Sequence, residues 1–315
     1  MMKGYKGFDK DLKCMEFQYE VGGEYEEPEP EVKICEKGFH FCENPMEVLK
    51  YYSPSNSRYA EVEGDGKIEN EYDKICCSRL RIKTEIGLTD LIQAGVKFIL
   101  DKVDWKNVAE TNTEDYSVAT NTGTCSATTN TGAYSVATNT GDCSAAANTG
   151  NYSVATNTGV YSVATNTGDY SAATNTGYCS VATNTGEYSA ATNTGYRSAA
   201  TNTGYCSVAT NTGTYSVAAN TGAYSAVTNT GTGSAATNTG AYSAAAVEGR
   251  EAVAISLGIE GKAKGALGCW LVLAEWERLE DGWHRTDVKC GLVDGVTLKP
   301  NTYYTLQKGK FVEVV

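Results

Sequence analysis

Residues 151–177 read NYSVATNTG VYSVATNTG DYSAATNTG, three copies of one nine-residue unit. The unit recurs without a gap from Asp115 to Gly249, giving fifteen tandem copies of x-(Tyr/Cys)-Ser-(Val/Ala)-Ala-Thr-Asn-Thr-Gly. Ser fills the third position and Gly the ninth in all fifteen; Asn fills the seventh in fourteen, with Val247 the departure. A short fixed period predicts a β-solenoid, because such a unit buries a face only by stacking on its neighbours. Nine residues at about 3.3 Å each cannot go round two strands and two turns, so two repeats per coil are expected. Fifteen repeats then make about 7.5 coils, or roughly 36 Å at ~4.8 Å per coil.

Substitutions among the copies set the phase of the strand. Alternate residues face opposite sides. The second position accepts Tyr170, Cys179, Arg197 and Gly233, which no small core would tolerate. The fifth is Ala in thirteen copies, with only Thr128 and Val227 different. Ser, Ala and Asn are therefore expected inside a thin core, with the Asn amides stacked as a ladder that caps the turn backbone. Gly is expected to supply a turn conformation that a Cβ opposes. Outside lie rows of Tyr, Val/Ala and Thr, with Cys125, Cys143, Cys179 and Cys206 in the Tyr row. The contact surface this predicts comprises Tyr134, Tyr152, Tyr161, Tyr170, Tyr188, Tyr215, Tyr224, Val136, Val154 and Val163.

The repeat decays on both sides. The fold class expected is mainly β, in three parts: an α+β N-terminal cap over 1–110, a parallel β-solenoid or β-roll over 111–267, and a small antiparallel β cap over 268–315. In the first part, Lys33–Cys42, Tyr59–Glu63 and Lys74–Ile86 read as strands, and Glu24–Glu31 as a solvated loop. Asn44-Pro45 opens a short helix over Met46–Tyr52. Thr89-Asp90 opens another, with Leu91, Ile92, Phe98, Ile99 and Val103 apolar, leading through Trp105 into Glu110-Thr111-Asn112-Thr113. After the array, Val, Ile and Leu replace Ala and Ser, so the core should widen. Asp281-Gly282 and Asp294-Gly295 are hairpin signals.

The chain carries a net charge of −12. Its array has one basic residue, Arg197, which excludes the clustered Lys/Arg of a nucleic-acid footprint. No stretch reaches the roughly 20 apolar residues of a membrane span. No apolar leader follows Met1-Met2-Lys3-Gly4-Tyr5, so the eleven cysteines are expected reduced, in a bacterial cytoplasm or in a virion. Cys14, Cys35, His40 and Cys42 lack the paired spacing of a zinc site, and buried structural cysteines are the simpler reading. Cys76 and Cys77 should point to opposite faces of a strand. His40 and His284 are the only histidines, and no phosphate loop or dinucleotide fingerprint is present. No catalytic residue, metal or cofactor is assigned.

Four segments carry a resemblance to uncharacterised phage and prophage proteins of anaerobic Gram-positive bacteria. They are GFDKDLKCMEFQYEVG (7–22), CEKGFHFCENPMEVLKYY (35–52), the recurring YSAATNTG, and KAKGALGCWLVLAEW (262–276). That resemblance implies a domain of unknown function in front of repeats and no established activity. AVAISLG (252–258), with the Ser-x-Ala-x-x-x-x-Gly rhythm, is similar to the β-roll heads of trimeric autotransporter adhesins, which brings in a trimer. The Thr-Asn-Thr arrays resemble the Thr ranks of ice-binding solenoids. Gly38-Phe39-His40-Phe41-Cys42 with Tyr51-Tyr52 resembles the nicotinamide-cradling stretch of ADP-ribosyltransferases. There His40 would match the motif's Tyr, and Glu85 is the candidate for the late catalytic Glu; the first-strand His or Arg has no counterpart. The function expected is non-enzymatic, a rigid rod that presents flat Tyr/Val/Thr faces to itself or to an unidentified protein. The alternatives are a small-ligand or surface-binding module and an ADP-ribosyltransferase-like N-terminal domain.

Overall fold

A computed structural model of the 315-residue chain describes all residues except 29–31, 35, 72, 103–107, 110 and 315. At 89, 96, 99, 100, 102, 108 and 109 it describes the backbone alone. The chain divides into two compact units, Met1–Phe98 and Ile99–Val315.

The first unit holds β1 (Met2–Phe8), β2 (Lys13–Cys14), β3 (Phe17–Gln18), β4 (Glu24–Glu26), β5 (Phe39–Phe41), α1 (Val48–Tyr51), β6 (Arg58–Glu71) and β7 (Lys74–Ile86). It also contains most of α2 (Leu88–Lys102), close to the expected helix, although Val103, Trp105 and Glu110 lie outside the described residues. The antiparallel sheet runs β1-β6-β7, with β4 and β5 side by side on the far edge of β7. Just past β5, Cys42 exchanges both backbone hydrogen bonds with Tyr5 of β1, each 2.8 Å. The strands thereby close into a small barrel through this one bridge. Phe8, Phe39, Phe41, Val62, Ile75, Leu80 and Ile82 fill it. Phe41 sits in space left by two glycines: a Cβ on Gly4 or Gly64 would lie 2.3 or 2.5 Å from its ring.

The expected strand over Lys33–Cys42 is confined to β5, because Lys37 N–H turns back to Lys33 O at 2.9 Å. The expected loop Glu24–Glu31 begins instead as β4, whose Glu24 pairs with Arg81 at 3.3 Å; residues 29–31 are outside the described residues. Asn44 caps as expected, its Oδ1 accepting Met46 N–H at 3.0 Å, over a 3₁₀ turn Pro45–Glu47 that runs into α1.

The second unit is the solenoid. Numbering repeats from Asp115, positions four to seven form a strand in each. Partners are eighteen residues apart and parallel, as in Val154↔Ala172 and Ala155↔Ala173. Each coil thus takes two repeats, as the repeat length requires. Odd repeats build a 12-stranded sheet and even repeats an 11-stranded one, each extended by C-terminal strands. In the even sheet, Val253–Ser256 pairs in parallel with Trp270–Leu279, which then pairs antiparallel with Gly282–Leu292. In the odd sheet, Lys262–Gly265 adjoins the hairpin Tyr303–Gln307/Lys310–Val314. The hairpin expected at Asp281-Gly282 forms, with Glu280 and Asp281 as its turn and Gly282 already paired with Leu279. Asp294-Gly295 forms none: the Asp294 carboxylate accepts the N–H groups of Val296, Thr297 and Leu298 in a loop that passes between the sheets. Those amides hold its pKa down at about 2.

Ser, Ala and Asn face inward, as their invariance implied. Ala155, Ala164, Ala173 and Ala182, drawn from both sheets in turn, pack together, fully buried. Near the C-terminus Val227, Val247, Leu271, Leu273 and Leu298 widen the core. Asn166 shows how the polar ladder is satisfied. Its Nδ2 donates to Ser153 O at 2.9 Å and Ala172 O at 3.3 Å, and its Oδ1 accepts Gly168 N–H at 3.0 Å. Ser171 Oγ accepts Ser153 N–H at 2.8 Å and donates toward Asp169 O at 2.9 Å. The Asn and Ser ladders are thus paired within and across coils, so the core needs few apolar atoms.

The ninth-position glycines serve close approach rather than a special turn conformation. From Gly132 to Gly258 none has positive φ, yet a Cβ on each would lie 1.8–2.1 Å from a backbone oxygen of the coil before. The left-handed conformation falls on position two instead. There sixteen non-glycine residues, from Tyr116 to Glu260, have φ of 49–57°. Each N–H in the array's run donates to the next coil, as Tyr134 N–H does to Asn151 O at 2.9 Å. Within the array that hydrogen bond, joined by ring stacking where the residue is Tyr, offsets a conformational cost of about 1–2 kcal/mol per residue.

Candidate functional site

The left-handed turn projects the position-two side chains as columns. On the odd repeats Tyr116, Tyr134, Tyr152, Tyr170 and Tyr188 stack with ring centroids 4.8–5.1 Å apart and planes within 11°. Repeat eleven has Cys206 at position two, and Tyr205 before it takes the place of the ring. Centroids there are 5.9 Å from Tyr188 and 5.5 Å from Tyr224, and Tyr224 stacks on Tyr242. A second, shorter column joins Tyr161, Tyr178, Tyr196 and Tyr215 on the even repeats at 5.4–6.2 Å. Tyr178, Tyr196 and Tyr205 all stand at position one where position two is Cys or Arg. That compensation was visible in the repeat alignment and marks residues absent from the expected surface.

The two outer faces differ. Beside the long column, position four is closed to solvent in every odd repeat from Val118 to Ala244. Val136 and Val154 are therefore not part of an exposed surface, contrary to expectation; rings that run unbroken along the odd repeats shield the residue two places on. Tyr134, Tyr152, Tyr170 and Tyr188 are half-buried, and Tyr224 is more open. On the even face Val163 and Val217 are 39% and 44% exposed, beside Tyr161 and Tyr215 at 62% and 58%. The thiols divide likewise. Cys125 and Cys143 are exposed and Cys179 half-buried, but Cys206 is buried beneath the long column, and that burial pushes its pKa up to about 11.

In the first unit a cavity of about 480 Å³ is lined by Tyr5, Lys6, Cys14, His40, Tyr51, Tyr52 and Lys74 among others. β5 places His40 and the end of α1 places Tyr51, so two of the three alternative site residues meet. Glu85 does not join them. His40 pairs with Cys76 in β7, whereas Glu85 stands near the other end of β7 and forms an ion pair with Arg58 at 2.6 Å. Its carboxyl is held below the usual range by that guanidinium. Burial raises the pKa of Tyr51, reinforced by a hydrogen bond to Asp73. Cys14 and Cys42 line the cavity too, while Cys35 lies outside the described residues. Cys76 and Cys77 are both fully buried.

Fold and surface together define a β-solenoid repeat protein with a small N-terminal β-barrel unit. Residues 2–94 match the family described as "Domain of unknown function (DUF7666)", which covers that unit and leaves the array unassigned. No curated protein and no solved structure gives a significant match. Among the described residues no helix is long and apolar enough to cross a membrane.

Proposed function

We propose that the protein is a non-enzymatic assembly module whose array pairs with a second copy through the outer face of its even sheet. The observation that carries this is the open stripe of Tyr161, Val163, Tyr215 and Val217, which the odd face lacks. Across repeats 160–168, 178–186, 196–204 and 214–222 the only charged residue is Arg197, and its guanidinium lies 5.3 Å from the Tyr196 ring centroid. A continuous exposed apolar stripe favours a contact. Identical coils make the stripe complementary to itself, which suits a symmetric pairing. Resemblance to phage and prophage proteins supports a role in the infected bacterial cell or on the particle.

Sedimentation of the full chain tests this. The wild type is expected to associate, and the double variant Val163→Lys/Val217→Lys to sediment as a monomer with its melting temperature little changed. A strictly monomeric wild type at high concentration, or a variant that associates as well as the wild type, overturns the reading.

A further inference from the structure

We propose that the N-terminal unit binds a small anion with an aromatic body, in the cavity that Lys6 helps to line. This reading is independent of self-pairing through the array.

Lys6 is buried, with 3% of its surface exposed, in the middle of β1. Its Nζ donates to His40 O at 2.7 Å and toward Cys14 Sγ at 3.6 Å. It also lies 5.1 Å from the Tyr19 ring centroid and 5.7 Å from that of Phe8. None of these partners is a carboxylate. An ammonium has three donors, so one proton has no acceptor among the described residues. Removing a cation from water is costly unless an opposite charge meets it.

The cavity supplies none. None of its twelve lining residues is acidic, and Lys6, His40 and Lys74 are basic. The nearby Asp73 is already engaged by Lys50. Burial first, then the charges of Lys6 and Lys74, lower the pKa of His40. Burial likewise lowers that of Lys6, opposed by Cys14, Cys42 and Cys77. An anion in this space would give Lys6 its missing acceptor and relieve the repulsion. Of the other nine lining residues, Tyr5, Phe41, Tyr51 and Tyr52 are aromatic and Val48 is aliphatic, which favours a ligand with a flat apolar body over a bare inorganic ion.

The two histidines of the chain give a built-in comparison, since His284 is exposed beside Asp281 in the second unit. Full-length protein with ¹⁵N-labelled histidine rings is titrated with phenyl phosphate and with benzoate, and with benzyl alcohol as the neutral control. We expect the His40 ring signals to shift saturably with at least one anion and not with the alcohol, while those of His284 stay in place. Lys6→Met should weaken that binding at least tenfold while the His40 signal still reports a folded unit. Where Lys6→Met disturbs folding, Lys74→Gln serves in its place, with a threefold or greater loss expected. His40 moving no more than His284, equal binding of benzyl alcohol, or undiminished affinity in a folded variant overturns the proposal.

Discussion

Thr128 occupies the fifth position of the second repeat, where thirteen copies hold Ala, and it is fully buried. Its Oγ1 makes no hydrogen bond, while the Asn and Ser groups around it are paired. A buried hydroxyl without a partner costs about 1–3 kcal/mol. Val227 shows that a branched apolar side chain fits this position elsewhere in the array. Thr128→Val, nearly equal in volume, is expected to raise the stability of the array by about 1 kcal/mol in urea denaturation; a lower midpoint would refute this account. Thr128 was legible as an exception to the repeat, but the cost of the exception needed the surrounding hydrogen bonds. Lys6 was less legible. The segment that forms β1, Met2–Phe8, gives little strand signal of its own, with two glycines and two lysines among seven residues. Those glycines make room for large rings, so the feature that weakens the local strand signal is what the barrel requires.

Strands and turns behave in the same way. The repeat period gave the coil length, the phase and the inward Ser, Ala and Asn, because those follow from alternation and from what a thin core tolerates. The reason for the glycine was not accessible from one repeat, since the atom that excludes a Cβ belongs to the previous coil. This leads to a paired test. Gly177→Ala would set a Cβ 1.8 Å from Gly159 O, so the coils must part, and a loss of about 3 kcal/mol or more is expected. Gly123→Ala, in the first coil, meets nothing closer than the Asn121 Oδ1 at 3.2 Å and should cost much less. Thermal unfolding of both variants decides it: equal effects would show that the glycine acts through local conformation after all. Exposure at position four depends on neighbours in the same way. Alternation correctly put Val136 and Val154 on the outer side, but whether an outer residue meets water depends on the neighbouring column. The clue lay in the parity of the repeats, since Tyr holds position two in the odd copies except at Cys206, where Tyr205 compensates.

For the chain as a whole, parity governs more than exposure. Odd repeats build one sheet and even repeats the other, and the C-terminal strands continue each sheet from a set side. A gene made of near-identical units gains and loses them readily, and the fold does not treat all such events alike. Loss of Asp169–Gly186 takes away one whole coil. The columns on either side then close up in their own sheets, Val163 above Ala199 and Tyr152 next to Tyr188. The shortened protein should melt as cooperatively as the parent. Loss of Glu187–Gly195 alone takes away half a coil and transfers every later repeat to the opposite sheet. Arg197 would then enter the long ring column, Tyr224 would leave it, and the C-terminal hairpins would meet the solenoid rotated by half a turn. That shorter deletion should unfold at lower temperature than the longer one, an order that differential scanning calorimetry reads directly. Selection acting on such a lineage would let its length drift in even steps only, so that repeat number is inherited as a count of pairs.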